Sequence, residues 1–149
     1  MRDFFKAFLY AGQGIAAAVK SQRNLRIHIV AAVYVTGFSF FYELSKADYV
    51  LLMLTFSSVI SAELINTAIE AAVDICSPEK NSLAKLAKDA AAGAVLVTAV
   101  FAVIVGLIMF LDFDVIRSIM VYYGENIPAL AGLILSVILS VLFIVYERK

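Results

Sequence analysis

Cysteine occurs once in these 149 residues, at Cys76, so no internal disulfide can form and no CxxC metal pattern exists. Histidine also occurs once, at His28, which excludes a multi-histidine metal site and reads as an interfacial residue. Proline is confined to Pro78 and Pro128, both at edges of apolar segments, where a helix starts or stops. Net charge is lacking too: twelve basic and twelve acidic side chains cancel, so no global field draws the chain to nucleic acid. Neither a Walker A sequence GxxxxGKS/T nor a nucleophile elbow GxSxG is present. GQGIAA at residues 12–17 fits the dinucleotide pattern GxGxxG/A in letters alone, because it lies inside a helical pattern with no strand before it.

Apolar residues dominate what is there. The chain is 63% hydrophobic and 16% charged with a mean hydropathy of +0.95, too apolar for a soluble domain with a polar surface and fitting a polytopic membrane protein. Four apolar segments cover residues 27–42, 49–73, 90–111 and 127–146. The last two match the ~20 residues that cross a bilayer core, whereas the first is short and the second is polar at one end. With the amino terminus inside, Arg2, Lys6, Lys20, Arg23, Arg26, Lys80, Lys85, Lys88, Arg148 and Lys149 fall on the inner side. Only Lys46 and Arg117 fall outside, an asymmetry that follows the positive-inside rule and supports four spans with both termini in the cytoplasm.

The amino-terminal stretch has a basic start and an alanine-rich end, like a signal peptide, but Lys6 and Gln13 interrupt its apolar run. Phe4, Phe8, Ala11, Ile15 and Val19 instead share one helical face, with Lys6, Gln13 and Lys20 opposite. That pattern predicts an amphipathic helix lying in the membrane interface.

Chemistry concentrates in AELINTAIEAAVD, residues 62–74. Glu63, Asn66, Thr67, Glu70 and Asp74 are spaced i, i+3, i+4, i+7 and i+11, which places them on one stripe of a helix. An acid deep in a bilayer costs ~2.5 to 3.5 kcal/mol even on the lenient insertion scale, so such a stripe faces a bundle interior or a wet cavity. Glu63 sits about 21 Å below Tyr49 at 1.5 Å per residue, in the inner part of the membrane core. Lys85, Lys88 and Asp89 return across the inner loop at the mouth of the third span. Carboxylates at that depth can bind a divalent cation, a lysine can balance phosphate charge, and a free carboxylate can take a proton from an alcohol. Those are the parts phosphoryl transfer needs without a P-loop. The structural alternative is plain: Lys85 reads best as a solvated or ion-paired residue, and turn chemistry accounts for Glu79 and Asn81.

From about Phe4 to Leu111 the sequence resembles the small prokaryotic membrane diacylglycerol kinases, especially their Gram-positive branch, which includes undecaprenol kinases. The resemblance rests on FKAFLYAGQGI, RNLRIH, AELINTAIEAAVD and SPEKNSLAKLAKDAAAGAV. Residues 63–74 meet every fixed position of the family signature E-x-x-N-S/T-S/A-L/I/V-E-x-x-V-D. The resemblance implies an ATP- and Mg2+-dependent lipid kinase, a homotrimer with composite sites at the cytoplasmic surface of the cell membrane. It implies Glu63 as general base, Glu70 as metal ligand, Asn66 as a positioning group, and Lys88 with Asp89 on the nucleotide phosphates. Asp74 and Glu79 match positions near the nucleotide.

Two departures stand out. The family usually has ERN before the RIH element, its glutamate a metal ligand, and Gln22 stands there in SQRN; an amide oxygen can still ligate but removes one negative charge. The family loop SPEYHPLAK is SPEKNSLAK here, with Lys80 and Asn81 at the aromatic and histidine positions. The expectation is therefore an all-α integral membrane protein with a kinase-like domain at 1–111, comprising a surface helix at 1–26 and core spans at 27–42, 49–73 and 90–111. A 112–149 extension carries a fourth span at 127–146. Undecaprenol is the expected acceptor, with diacylglycerol second. A catalytically weakened membrane assembly subunit is the alternative, and an ion pathway ranks third because the outer half of 49–73 is apolar.

Overall fold

The computed structural model describes residues 2–77 and 81–146, and every regular element among them is a helix. They are α1 (Arg2–Ser21), α2 (Arg23–Ser39), α3 (Lys46–Cys76), α4 (Ser82–Phe110), α5 (Phe113–Glu125) and α6 (Ile127–Val145). The first two join at a single extended residue, Gln22, with φ −104° and ψ 112°. The surface helix therefore ends at Ser21, short of the expected 26, and the next helix begins at Arg23 instead of Ile27.

Local chemistry sets the other starts. Ser45 and Asp48 form a capping box on α3, Asp48 Oδ2 accepting from the Ser45 N–H at 2.8 Å and Ser45 Oγ from the Asp48 N–H at 3.3 Å. Asn81 caps α4 through the Leu83 N–H at 2.8 Å. Asn126 caps α6 through the Ala129 N–H at 3.2 Å, with Pro128 in the first turn, where its missing donor is harmless. Asp112 accepts from the N–H groups of Asp114 and Val115 at 3.0 and 3.1 Å and starts α5, a helix in the part of the extension before its expected span at 127–146.

Helices α3, α4 and α6 are each long and apolar enough to cross a membrane; α2, with 17 residues or about 25 Å, is shorter. The burial pattern is the reverse of a soluble protein's. Large apolar residues such as Leu96, Phe101, Ile108, Ile134 and Leu142 are exposed, while Arg26, Ser39, Glu63 and Asn66 are enclosed. Lipid, which lacks hydrogen-bonding groups, suits that outer surface and leaves the bundle interior as the place for polarity.

Chain direction alternates. Asp74 near the end of α3 meets Lys88 near the start of α4, so these two form an antiparallel hairpin. At the opposite end, the Tyr42 hydroxyl donates to the Phe110 carbonyl at 2.8 Å, joining the ends of α2 and α4. Helix α5 lies beneath that end of α2 through Phe41 against Tyr122 and Phe38 against Tyr123, at 5.4 and 6.4 Å between ring centres. Helix α6 then runs back along α2 and brings Ile144 to Arg26. The ends carrying Gln22, Asp74, Lys88 and Ile144 thus lie on one side, where the site forms.

Candidate active site

Helical spacing places Glu63, Asn66, Glu70 and Asp74 down one face of α3, and their exposure rises in that order along the stripe. Glu63 is 2% exposed and Asn66 8%, Glu70 is half-buried, and Asp74 is open. Thr67 belongs to the stripe by position, but its hydroxyl donates back to the Glu63 carbonyl at 2.8 Å and is spent on the helix.

Two amides converge on Glu70. Asn66 Nδ2 donates to Glu70 Oε1 at 3.2 Å, and Gln22 Nε2, arriving from the α1–α2 corner, donates to Oε2 at 3.4 Å. The structure thus brings Gln22 to Glu70 as a donor, and ligating a cation through Oε1 requires its amide to rotate. Asn66 Oδ1 and Glu63 Oε1 are buried without a hydrogen-bond partner among the described residues. Since a lone buried oxygen costs ~1 to 3 kcal/mol, such a pair marks a place where an outside donor or cation is accommodated. Glu70 can form a hard-oxygen set that suits a small divalent cation, with a single carboxylate charge, once both the Asn66 and the Gln22 amide turn their oxygens toward it in place of the N–H groups they present. No group of three or more His, Cys, Asp or Glu side chains is placed to hold a metal ion among the described residues.

Lys88 and Asp89 are not partners of one another. Lys88 Nζ forms an ion pair with Asp74 Oδ1, while Asp89 pairs with Lys85 at 3.7 Å, both of the latter largely exposed. Lys88 therefore stands at the open end of the stripe, where a polyanion from solvent can replace Asp74 as its counter-ion. Glu79 lies outside the described residues.

Sequence reasoning missed two residues. His28 comes from α2 to put Nε2 3.6 Å from Glu63 Oε1, too far for a good hydrogen bond but close enough to share its surroundings. Arg26, an inner charge by sequence, is enclosed where the first turn of α2 meets the ends of α1 and α6. Spacing did contain a signal: Leu25, His28, Ala32 and Val35 repeat at helical intervals, so His28 shares a face with the buried Leu25 and the half-buried Ala32 and Val35.

His28 also borders a cleft between α2, α3 and α4, about 270 Å³ in volume, lined by Val35, Leu52, Val59, Ile60 and Gly106 among others. Val59 and Ile60 precede Glu63 on α3 by one turn, so the apolar cleft opens next to the buried carboxylate. The arrangement sets an apolar slot, a buried acid and a solvent-exposed end, where Lys88 of α4 meets Asp74, in sequence along α3. It can hold an amphiphile by its tail, take a proton from its head, and meet an anion at the far end.

Residues 9–110 match the family model for prokaryotic diacylglycerol kinase. The chain is 45% identical over 111 residues to an undecaprenol kinase of Bacillus subtilis, covering 74% of this chain and 90% of that protein. It is 44% identical over 101 residues to a diacylglycerol kinase of Synechocystis sp., covering 67% of this chain and 58% of the relative. A diacylglycerol kinase of Escherichia coli is 32% identical over 99 residues, with 66% and 81% covered.

Proposed function

We propose, from the premise that this chain belongs to the prokaryotic diacylglycerol kinase family and is a membrane lipid kinase, that it phosphorylates undecaprenol in preference to diacylglycerol. The observation that carries the site assignment is the graded stripe on α3, buried at Glu63 and open at Asp74. The lipid preference follows the likeness to the undecaprenol kinase, 45% identical over 111 residues and 90% of that protein.

In this reading the lipid tail occupies the apolar cleft and its hydroxyl reaches Glu63. Glu63, as carboxylate, accepts the hydroxyl proton while the oxygen forms its bond to the γ-phosphorus of ATP and the bond to the β–γ bridging oxygen breaks, releasing ADP. Enclosure of Glu63 excludes water as a competing acceptor. Asn66 and Glu70 fix each other by their shared hydrogen bond, which holds the stripe in register. Lys88 exchanges Asp74 for the nucleotide phosphates, and Asp89 with Lys85 borders the same mouth. Mg2+ fits the oxygen set of Glu70, Asn66 and Gln22 and, when bound, supplies charge neutralisation on the phosphate oxygens.

The kinase unit is residues 1–111, in keeping with the matched segment 9–110, and residues 112–149 form an extension. The active form is a homotrimer in the cytoplasmic membrane with its site on the inner side; the basic residues gathered at the Gln22–Lys88 end support that orientation. Native mass spectrometry counts the chains. Parallel transfer from labelled ATP to undecaprenol and to diacylglycerol in nanodiscs tests the function, with faster transfer to undecaprenol expected. Transfer to neither lipid by folded protein at saturating Mg2+ would refute the kinase reading.

A further inference from the structure

Helix α6 lies outside the matched segment 9–110, yet its last turn is fastened to the active-site corner. Arg26 is 4% exposed, and its guanidinium is shared between two helix ends. Nε and Nη2 donate to the Ile144 carbonyl at 3.2 and 3.1 Å, while Nη1 donates to the carbonyls of Val19 and Lys20 at 2.9 and 3.0 Å. These are last-turn carbonyls of α6 and α1, at the ends that carry the negative pole of each helix dipole. One cation therefore serves two C-termini that, among the described residues, share no other hydrogen-bond donor.

The segment so held is the one that carries Gln22. The Gln22 N–H donates to the Ala18 carbonyl at 2.8 Å, and the Arg26 N–H to the Gln22 carbonyl at 3.4 Å. Gln22 is thus gripped on one side by the last turn of α1 and on the other by the first turn of α2, and Arg26 ties the two turns together. A second polar contact stabilises the same seam: the Tyr34 hydroxyl lies 3.0 Å from Ser136 Oγ and 3.3 Å from Ser140 Oγ, two turns along α2 and α6.

We infer that Arg26 is a positioning residue for the phosphoryl-transfer site and that α6 is the strut that keeps it in place. The Ile144 carbonyl satisfies the Nε and Nη2 donors of a buried guanidinium; the other side of the same group holds the end of α1; and the resulting corner sets Gln22 at 3.4 Å from Glu70. A lysine cannot substitute, because an ammonium is a single point with no planar fork to reach carbonyls on opposite sides. The inference rests on the kinase reading only for what Glu70 does.

The test uses the full-length chain in nanodiscs, comparing wild type with Arg26→Lys and with the double variant Ser136→Leu/Ser140→Leu, which pushes α6 off while leaving Arg26 intact. Hydrogen exchange at the amides of Ser21 and Gln22 is expected to rise about tenfold or more in both variants, a readout that needs no turnover. In both, KM for the Mg2+-nucleotide is expected to rise at least about threefold with kcat within about twofold of wild type. Adding Arg26→Lys to Gln22→Ala is expected to leave KM where Gln22→Ala alone put it. Unchanged exchange at residues 21 and 22 in either folded variant, or a KM increase undiminished in the Gln22→Ala background, would overturn the inference. Phosphate transfer by the wild type in the same nanodiscs reports on the kinase reading separately.

Discussion

Replacing Gln22 by glutamate reverses the sign of its interaction with Glu70. In the native chain a neutral amide donates to Glu70 Oε2 at 3.4 Å. A carboxylate in that place sets two negative charges ~4 Å apart at a partly buried position, where repulsion is about 4 kcal/mol at an effective dielectric constant of 20 and about 1 kcal/mol if water screens it fully. Without a divalent ion the variant is therefore destabilised by an amount between those limits. With the ion, the same second charge becomes an additional ligand, and even about 1.4 kcal/mol of the difference appears as tenfold tighter binding. Two measurements read the crossover: thermal unfolding in nanodiscs with chelator and with Mg2+, and Mn2+ binding followed by electron paramagnetic resonance. Gln22→Glu should melt below wild type in chelator, gain more than wild type on adding Mg2+, and bind Mn2+ about tenfold more tightly. Equal melting temperatures in chelator together with unchanged Mn2+ affinity would show that residue 22 does not share a site with Glu70, and the ligand assignment would fall with it.

Glu63→Gln keeps the shape of the buried group and removes its capacity to take a proton, so turnover should drop by at least about 10²-fold while the melting temperature stays within a few degrees; a fully active variant would remove Glu63 from the role of base. Lys88→Met should raise KM for ATP well above any effect on stability, because its pair with Asp74 is open to solvent and such pairs contribute ~1 kcal/mol or less; an unchanged KM would contradict its assignment to the phosphates. Asp112→Ala removes the cap of α5 at a cost of about 1 kcal/mol, which should accelerate exchange at the Asp114 and Val115 amides without altering phosphate transfer.

Periodicity made the site legible because one strong regularity governs it: residues three and four apart on α3 share a face whatever surrounds them. Ser45, Asn81, Asp112 and Asn126 are capping residues; three of the helices they start, α3, α4 and α6, overlap expected spans, although α4 begins eight residues before the expected 90, and α5 was missed altogether. Its 13 residues are too few to cross a bilayer, so a search for spans passes over it. Arg26 and His28 escaped for a different reason. Counting charge by membrane side treats every basic residue as a solvated head, whereas the fold encloses Arg26 between helix ends and turns His28 toward Glu63. Which helix ends meet is decided by tertiary contact, and no spacing within α2 specifies it.

Helix α3 has 31 residues and so extends about 46 Å, against a hydrocarbon core of ~30 Å. Surplus length of this kind turns bilayer thickness into a variable of the reaction. Because Glu63 and Asp74 are rigidly about 16 Å apart on one rod, a thicker membrane drowns more of the acidic face in acyl chains and a thinner one wets it further. Lipids whose chain length alters that waterline should change how easily the two reactants, one oil-soluble and one water-soluble, arrive at the same face, although neither lipid chain nor thickness enters the chemistry.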